Sequence, residues 1–229
     1  MNRGRKLVEF RYDSSETTLE EKAFINEKSL SYSAVKRIID IMGAIIGLIV
    51  LSPLLIIISI AIIVDSKGPV IFSQTRVGKD GKHFKMYKFR SMVIDAERLL
   101  AKLKEKNEMS GPMFKMKKDP RVTKVGNFIR RTSIDELPQL VNVLKGEMSL
   151  VGPRPSLPHE VEKFEPWMLE RLTVKPGLTC FWQVRGRNDI GFSEWMELDV
   201  KYVRERSTLL DIKLIFQTVG LLFGDKHAR

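Results

Sequence analysis

The sequence predicts an α+β, mainly helical protein: an N-terminal re-entrant membrane helix broken at Ser52-Pro53, then a cytosolic domain of short helices and a small β-hairpin. Three observations carry this reading. Ile41 to Val64 is a single run without a charge, with Pro53 near its middle. Two short apolar-rich runs flank Gly78-Lys-Asp-Gly81, the pattern of a hairpin around its turn. After Asp95, helical periodicities recur in short stretches stopped by glycine or proline. The chain divides accordingly into a flexible or peripherally bound leader (1–33), a membrane helix-hairpin (34–66) and a cytosolic domain (67–229).

By length the apolar run can cross a bilayer, since about 20 residues at about 1.5 Å each span the hydrocarbon. Pro53 argues against a plain crossing. It removes a helix hydrogen bond and crowds the preceding turn, so the helix is expected to kink or reverse near Ser52. Each half is then about a dozen residues, or roughly 18 Å, enough for one leaflet. Basic residues lie on both flanks: Lys36 and Arg37 before, and Lys67, Arg76, Lys79, Lys82, Lys85, Lys88 and Arg90 after. Positive charge marks the cytoplasmic side, so a segment that enters and leaves by one face fits both ends. On the residues alone a spanning helix with a tolerated proline stays open, because neighbouring helices can re-satisfy freed backbone groups. A cleavable signal peptide is not expected, since its apolar core is only about 7–15 residues long.

The leader, residues 1–30, is polar, charged and without periodicity. Pro69–Thr75 and His83–Arg90 are the expected hairpin strands, and Asp95–Lys106 a surface helix with Ala96, Leu99, Leu100 and Leu103 at helical spacing. Residues 111–120 form a basic loop bounded by Gly111 and Pro120. Thr123–Arg130 and Glu136–Leu144 are short helices, the second ending before Lys145-Gly146. Val151-Gly-Pro-Arg-Pro155 must be extended, because residues before proline leave the helical region. Glu160–Leu172 is expected to be an amphipathic helix, Gly177–Val184 a strand, and Ser193–Arg206 a helix with Trp195, Leu198 and Tyr202 on one face. Thr208–Phe223 has an apolar face suited to a membrane interface.

With 229 residues the chain leaves room for one cytosolic domain of roughly 160 residues beyond the membrane run. The net charge of +11 points to an anionic partner: lipid headgroups, nucleic acid or phosphorylated small molecules. Cys180 is the single cysteine and the three histidines are scattered, which excludes disulfides and thiolate or histidine metal sites. Gly78-x-x-Gly81 and Gly186 lack the strand–helix context of a nucleotide loop.

Chemistry centres on Arg130-Arg131-Thr-Ser-Ile-Asp135-Glu136-Leu-Pro138-Gln, where two carboxylates follow two arginines at a helix start. Acidic residues favour a first helical turn, and Ser133-x-x-Glu136 matches a capping box. Pro138 fits that box poorly, because with Ser133 as N-cap it would fall where an N–H is needed. With Asp135 as N-cap it falls within the free turn. Neighbouring carboxylates near arginines can hold a divalent cation and a phosphate together, and a carboxylate can act as a nucleophile in phosphoryl transfer. Arg154, between Pro153 and Pro155, is presented by a stiff backbone suited to bidentate phosphate contact. Gln183-Val-Arg-Gly-Arg187-Asn188 is a polar turn that suits contact with a base or sugar, and Lys88 and Arg90 complete the basic set.

These residues, in order, resemble a known family. Lys36-Arg-Ile-Ile-Asp40, the run with Ser52-Pro53, Gly68-Pro-Val-Ile-Phe72, Tyr87-Lys-Phe-Arg-Ser-Met92 and Asp119-Pro-Arg-Val-Thr123 come first. Thr132-Ser-Ile-Asp-Glu-Leu-Pro-Gln139, Asn142-Val-Leu-Lys-Gly-Glu-Met148, Val151-Gly-Pro-Arg-Pro155, Lys175-Pro-Gly177, Gln183-Val-x-Gly-Arg-Asn188 and Glu197-Leu-Asp-Val200 follow. The series is similar to the bacterial sugar transferases, the monotopic polyprenyl-phosphate phosphoglycosyl transferases, across about residues 34–223. Larger members carry further membrane helices upstream, so the chain resembles the minimal form.

The resemblance implies transfer of a phospho-sugar from a UDP-sugar to polyprenyl (undecaprenyl) phosphate, releasing UMP and initiating polysaccharide or glycoconjugate synthesis. It implies Asp135 as nucleophile and Glu136 as ligand to Mg²⁺, with Arg130, Arg154, Lys88 and Arg90 at the substrate phosphates. Gln183, Arg187 and Asn188 are then expected at the nucleotide or sugar, while Asp199 is left open between a structural and a binding role. A re-entrant helix at Ser52-Pro53 places the enzyme at the cytoplasmic face of the inner membrane. Expected partners are the UDP-sugar, polyprenyl phosphate and membrane lipid, with a second copy of the chain and downstream glycosyltransferases as protein partners, and no nucleic acid. Thr179-Cys-Phe-Trp-Gln183 resembles hexose-specific members, for glucose or galactose. The competing readings are a lipid-phosphate transferase with another nucleotide donor, and a membrane-tethered assembly protein with a degenerate site. A nucleic-acid binder fails on the bilayer segment and on the lack of interleaved aromatic and basic residues.

Overall fold

The computed structural model describes residues 29–103, 116, 118–185 and 190–222, together with 5–14 and 17–26 as backbone alone. Where the sequence predicts an irregular leader, β1 (Arg5–Ser14) pairs antiparallel with β2 (Thr17–Asn26). The register explains what the pattern hid. It sets Glu9 opposite Lys22 and Arg11 opposite Glu20, with Leu7 opposite Phe24 and Tyr12 opposite Leu19. Along both strands charged and apolar residues follow one another without a clean two-residue alternation, so the sequence pattern does not announce them.

Helix α1 runs from Leu30 to Asp65, with Ser29 accepting the Tyr32 amide at its start. The expected break at Ser52-Pro53 is not a break: the helix continues through both residues. Pro53 has no N–H to offer the Ile49 carbonyl four residues back. The Ser52 hydroxyl donates to that same carbonyl at 2.8 Å and takes the missing amide's place. Asp40, Ala44, Ile58 and Ile62 form a buried stripe, while Met42, Ile49, Val50, Ile56, Ile57, Ile60 and Ile63 are exposed along the opposite side.

Both ends of α1 are tied to the same domain. Near the start, Arg37 donates to the carbonyls of Val143 (2.6 Å) and Leu144 (2.8 Å), and Asp40 accepts from Ser149 Oγ and the Leu150 amide, each at 2.9 Å. At the far end Asp65 accepts the Val125 amide at 3.0 Å. Arg90 closes the last turn by donating to the carbonyls of Ile62 (3.3 Å), Ser66 (2.6 Å) and Lys67 (2.8 Å). Those carbonyls carry the negative end of the helix dipole, which favours a cation. Arg90, expected at the substrate phosphate, is therefore committed to holding α1.

The hairpin is found as expected, with β3 (Ile71–Val77) antiparallel to β4 (His83–Phe89). Helices α2 (Ala96–Leu103) and α3 (Lys124–Arg131) follow, the latter capped by Thr123, whose hydroxyl accepts the Gly126 amide at 3.0 Å. Next come α4 (Gln139–Lys145), β5 (Ser149–Val151) and α5 (Pro158–Val161). The helix expected over 160–172 is divided at Pro166, where a 3-10 segment, Pro166–Thr173, begins. The strand expected over 177–184 is short: β6 (Gly177–Thr179) lies parallel to β5, and α6 (Phe181–Arg185) replaces the rest. The partner accounts for this, because the ladder ends on the Gly152 amide and Pro153 has no N–H to extend it. Helices α7 (Phe192–Glu205) and α8 (Thr208–Leu222) complete the fold. Trp195, Leu198 and Tyr202 are all buried, as their spacing predicts. On α8, Leu209 and Phe216 are exposed.

Candidate active site

The chain leaves α3 through Ser133, whose left-handed φ of 58° turns it into a 3-10 turn, Ile134–Glu136. Neither expected capping scheme forms. Pro138 itself is the N-cap of α4, and the carboxylates lie one turn earlier. The tight turn resolves the proline problem: Glu136 N bonds Ser133 O and Leu137 N bonds Ile134 O, so no donor is needed at residue 138. Asp135 is 7% exposed.

Two cations meet this pair. Lys88 Nζ lies 2.8 Å from Glu136 Oε1 and 3.6 Å from Asp135 Oδ2. It comes from β4, which Asn142 joins to α4 by accepting the Tyr87 amide (3.0 Å) and donating to Lys85 O (2.7 Å). Arg154 Nη1 donates to the same Glu136 Oε1 at 2.8 Å, with its guanidinium 5.7 Å from the Trp182 ring. Arg130 is exposed at the end of α3, close enough for its charge to act on Asp135.

The backbone that carries Arg154 is held at four consecutive carbonyls. Pro153 O accepts the Gly177 amide at 2.9 Å, and Arg154 O accepts Arg171 Nη2 at 2.5 Å. Pro155 O accepts Arg76 Nη1 at 3.1 Å, and Ser156 O accepts the Val77 amide at 2.9 Å. Lys175-Pro-Gly177 passes so close that a Cβ on Gly177 would overlap the Gly152 nitrogen. Arg171 also donates to Ser156 Oγ and is paired with Asp199 at 2.6 and 3.1 Å. This settles the role of Asp199: it is fully buried beneath the loop, not lining the site. Arg171 is not singled out by the sequence and Arg76 reads there only as part of the basic flank; an arginine and an aspartate spaced among apolar residues are the one signal of a buried pair.

Gln183 is buried on α6, donating to Leu178 O at 3.2 Å, next to the Trp182 that faces Arg154. Its Oε1 has no hydrogen-bond partner among the described residues. Arg187 and Asn188 lie outside the described residues. Ser52 and Pro53 are exposed on α1, and the next residues, Leu54 and Leu55, pack in one cluster with Ile134, which precedes Asp135.

The two carboxyls are driven apart. Burial pushes Asp135 above the usual aspartate range; Lys88 opposes, Glu136 adds to the rise, and Arg130 and Arg154 oppose it further. Burial also acts to raise Glu136, but the charges and hydrogen bonds of Lys88 and Arg154 outweigh it and hold that carboxyl well below its ordinary value. Glu136 is thus a fixed anion and Asp135 a more basic one. Two carboxyls driven apart in this way suit two different chemical roles.

Lys88 lowers the Asp135 pKa, so Lys88→Gln is expected to move the acid limb of the kcat/KM profile to higher pH. A limb unmoved by this change would show that Asp135 ionisation does not limit the rate. Among the described residues no three histidine, cysteine or acidic side chains cluster. A Mg²⁺ ion fits the pair nonetheless, because this ion commonly takes one or two carboxylates and completes its shell with water and substrate phosphates. Both cations sit on Oε1 of Glu136, and Oε2 accepts no hydrogen bond from a described residue.

A family model described as bacterial sugar transferase matches residues 31–225. A galactosyl transferase, CpsE, of Streptococcus agalactiae serotype III is 52% identical over 193 residues, covering 84% of this chain and 43% of that protein. The UDP-glucose:undecaprenyl-phosphate glucose-1-phosphate transferase of Escherichia coli is 45% identical over 204 residues, 85% of this chain and 41% of that protein. The exopolysaccharide production protein ExoY of Sinorhizobium fredii is 38% identical over 188 residues, 80% of this chain and 83% of that protein. The chain thus spans about two fifths of the first two relatives and most of the third. The match runs from the first turn of α1 past the end of α8 and takes in both carboxylates, Lys88 and Arg154, so the chain belongs to the bacterial sugar transferase family.

Proposed function

We propose that the chain transfers a hexose 1-phosphate from a UDP-sugar to polyprenyl phosphate, through an aspartyl-phosphosugar intermediate, as the first step of polysaccharide assembly. One observation carries the reading: a buried carboxylate, Asp135, adjoins a second, Glu136, on which Lys88 and Arg154 converge at 2.8 Å each. Asp135 Oδ attacks the phosphorus that bears the sugar. A carboxyl O–P bond forms, the phosphoanhydride P–O bond breaks, and UMP leaves with its electron pair. An oxygen of the lipid phosphate then attacks the same phosphorus, restores the carboxylate and yields the polyprenyl-diphosphate-sugar. That phosphate is already anionic at neutral pH, so neither step needs a general base.

Lys88 and Arg154 lie where negative charge grows on the transferring phosphoryl group, and Arg130 adds its charge from the rim. Asp135 and Glu136 Oε2 would hold Mg²⁺, which when bound supplies further charge neutralisation. Gln183 is assigned to the nucleotide or sugar on its orphaned carbonyl, with Arg187 and Asn188 next in sequence. The Streptococcus agalactiae relative is named for galactosyl transfer and the Escherichia coli one for glucose, and a hexose is proposed for this chain on that similarity. UMP release from a panel of UDP-sugars with polyprenyl phosphate tests the reading, with UDP-galactose and UDP-glucose expected to turn over. Silence across the whole panel would refute it.

The membrane is placed on the exposed face of α1, with both ends at the cytoplasmic surface of the inner membrane. Support comes from the basic flanks and from the ties that join both ends to one domain. Cysteines at Ser31 and Ser73, both exposed, should react with an impermeant maleimide only after the cytoplasmic side is opened. Reaction of either from outside would restore a spanning helix. Cys180, the native thiol, is buried and contributes little background.

A further inference from the structure

Arg37 and Lys175 stand far apart in sequence and converge on Gly146, at the opposite end of α4 from the two carboxylates. There α4 stops in the left-handed conformation, with φ 82°. A Cβ on Gly146 would lie 3.5 Å from Lys175 Nζ and 3.6 Å from Arg37 Nη2. The two cations therefore flank one notch, which a side chain at residue 146 would fill.

The end of a helix accounts for one cation. Arg37 already donates both terminal nitrogens to the last carbonyls of α4. Lys175 is left over. It is part-buried and makes no hydrogen bond or ion pair with a described residue. Burial lowers its ammonium pKa, and so does the charge of Arg37 beside it, with Lys79 and Lys36 adding to the effect. Asp40 opposes the shift but is engaged by Ser149 and the Leu150 amide. A part-buried lysine among like charges costs stability unless an anion balances it.

We propose that Arg37 and Lys175 bind a phosphate group, carried by an anionic lipid headgroup or by free phosphate, at a site distinct from the catalytic carboxylates. The lipid source rests on the membrane placement proposed above; the phosphate chemistry does not.

The test is amine acetylation of the full chain in phosphatidylcholine nanodiscs, read at Lys175 by peptide mass spectrometry. Lys67, exposed beyond the far end of α1, serves as the internal reference. One arm adds phosphatidylglycerol to the bilayer and another adds inorganic phosphate. The site predicts that Lys175 acetylation slows in at least one arm by roughly fivefold more than Lys67 does, the scale of one cation held by an anion. Slowing with phosphatidylglycerol alone identifies the headgroup, and slowing with phosphate identifies a soluble ligand. No slowing in either arm, or equal slowing at Lys67, overturns the proposal. UMP release is measured on the same nanodiscs before the reagent is added, so absent turnover with Lys175 still protected would count against the catalytic reading alone.

Discussion

Asp135→Asn is expected to abolish UMP release, by on the order of 10⁴-fold or more, because it removes the atom that makes the covalent bond. The same substitution should leave the melting temperature equal or higher. Asp135 has a folded pKa above the ordinary aspartate value, raised first by burial. A carboxyl of that kind favours the fold in its protonated form, and this contribution is lost as pH rises through the folded pKa. At neutral pH the ionised group therefore costs stability, and the neutral amide relieves it. Labelling with a UDP-sugar carrying phosphorus-32 at the sugar-bearing phosphate should mark wild-type protein and not the variant. Near-normal turnover in Asp135→Asn would rule out the covalent route. Lost turnover together with a large fall in melting temperature would assign Asp135 to the fold instead.

Asp199→Leu should destabilise the protein by about 3–5 kcal/mol, since it strands a buried guanidinium. Arg171 is almost wholly inaccessible, and Asp199 is its acidic partner at 2.6 Å. Burial pushes the Asp199 carboxyl up to about 6 while Arg171 pulls the other way, so the pair stands at a solvation cost. Replacing both partners by apolar residues should then recover part of the stability. Turnover should not recover with it, because Arg171 also holds Arg154 O and Ser156 Oγ. Thermal melts and UMP release on the single and double variants separate the two effects. Restored activity in the double variant would show that the loop holding Arg154 needs no such support.

What the sequence conveys here depends on how local each cause is. The β3–β4 hairpin, α3 with its Thr123 cap and the buried face of α7 follow from spacing and turn residues, and all three are present. Asp135, Glu136, Lys88 and Arg154 meet as the motif order implies. Long-range causes escaped. Arg90 looks like one more cation of the basic flank until Ile62 and Ser66 are folded back to it. Gly177–Val184 has the composition of a strand, yet its partner runs out at Pro153. Pro53 is a helix breaker by rule, but the hydroxyl of the residue before it supplies the lost donor. Asp199 could be assigned only once Arg171 was seen beside it.

The fastening of α1 at both ends bears on how the protein meets bilayers of different thickness. A spanning helix answers a thicker or thinner membrane by tilting, and tilt swings whatever it carries. On the proposed placement α1 touches a single surface, and Arg37 and Asp65 brace it against swinging. It acts as a handle rather than a mast. The height of Asp135 above the lipid phosphates is then set by the depth of one leaflet's edge, so the same catalytic geometry can serve in membranes of differing acyl-chain length.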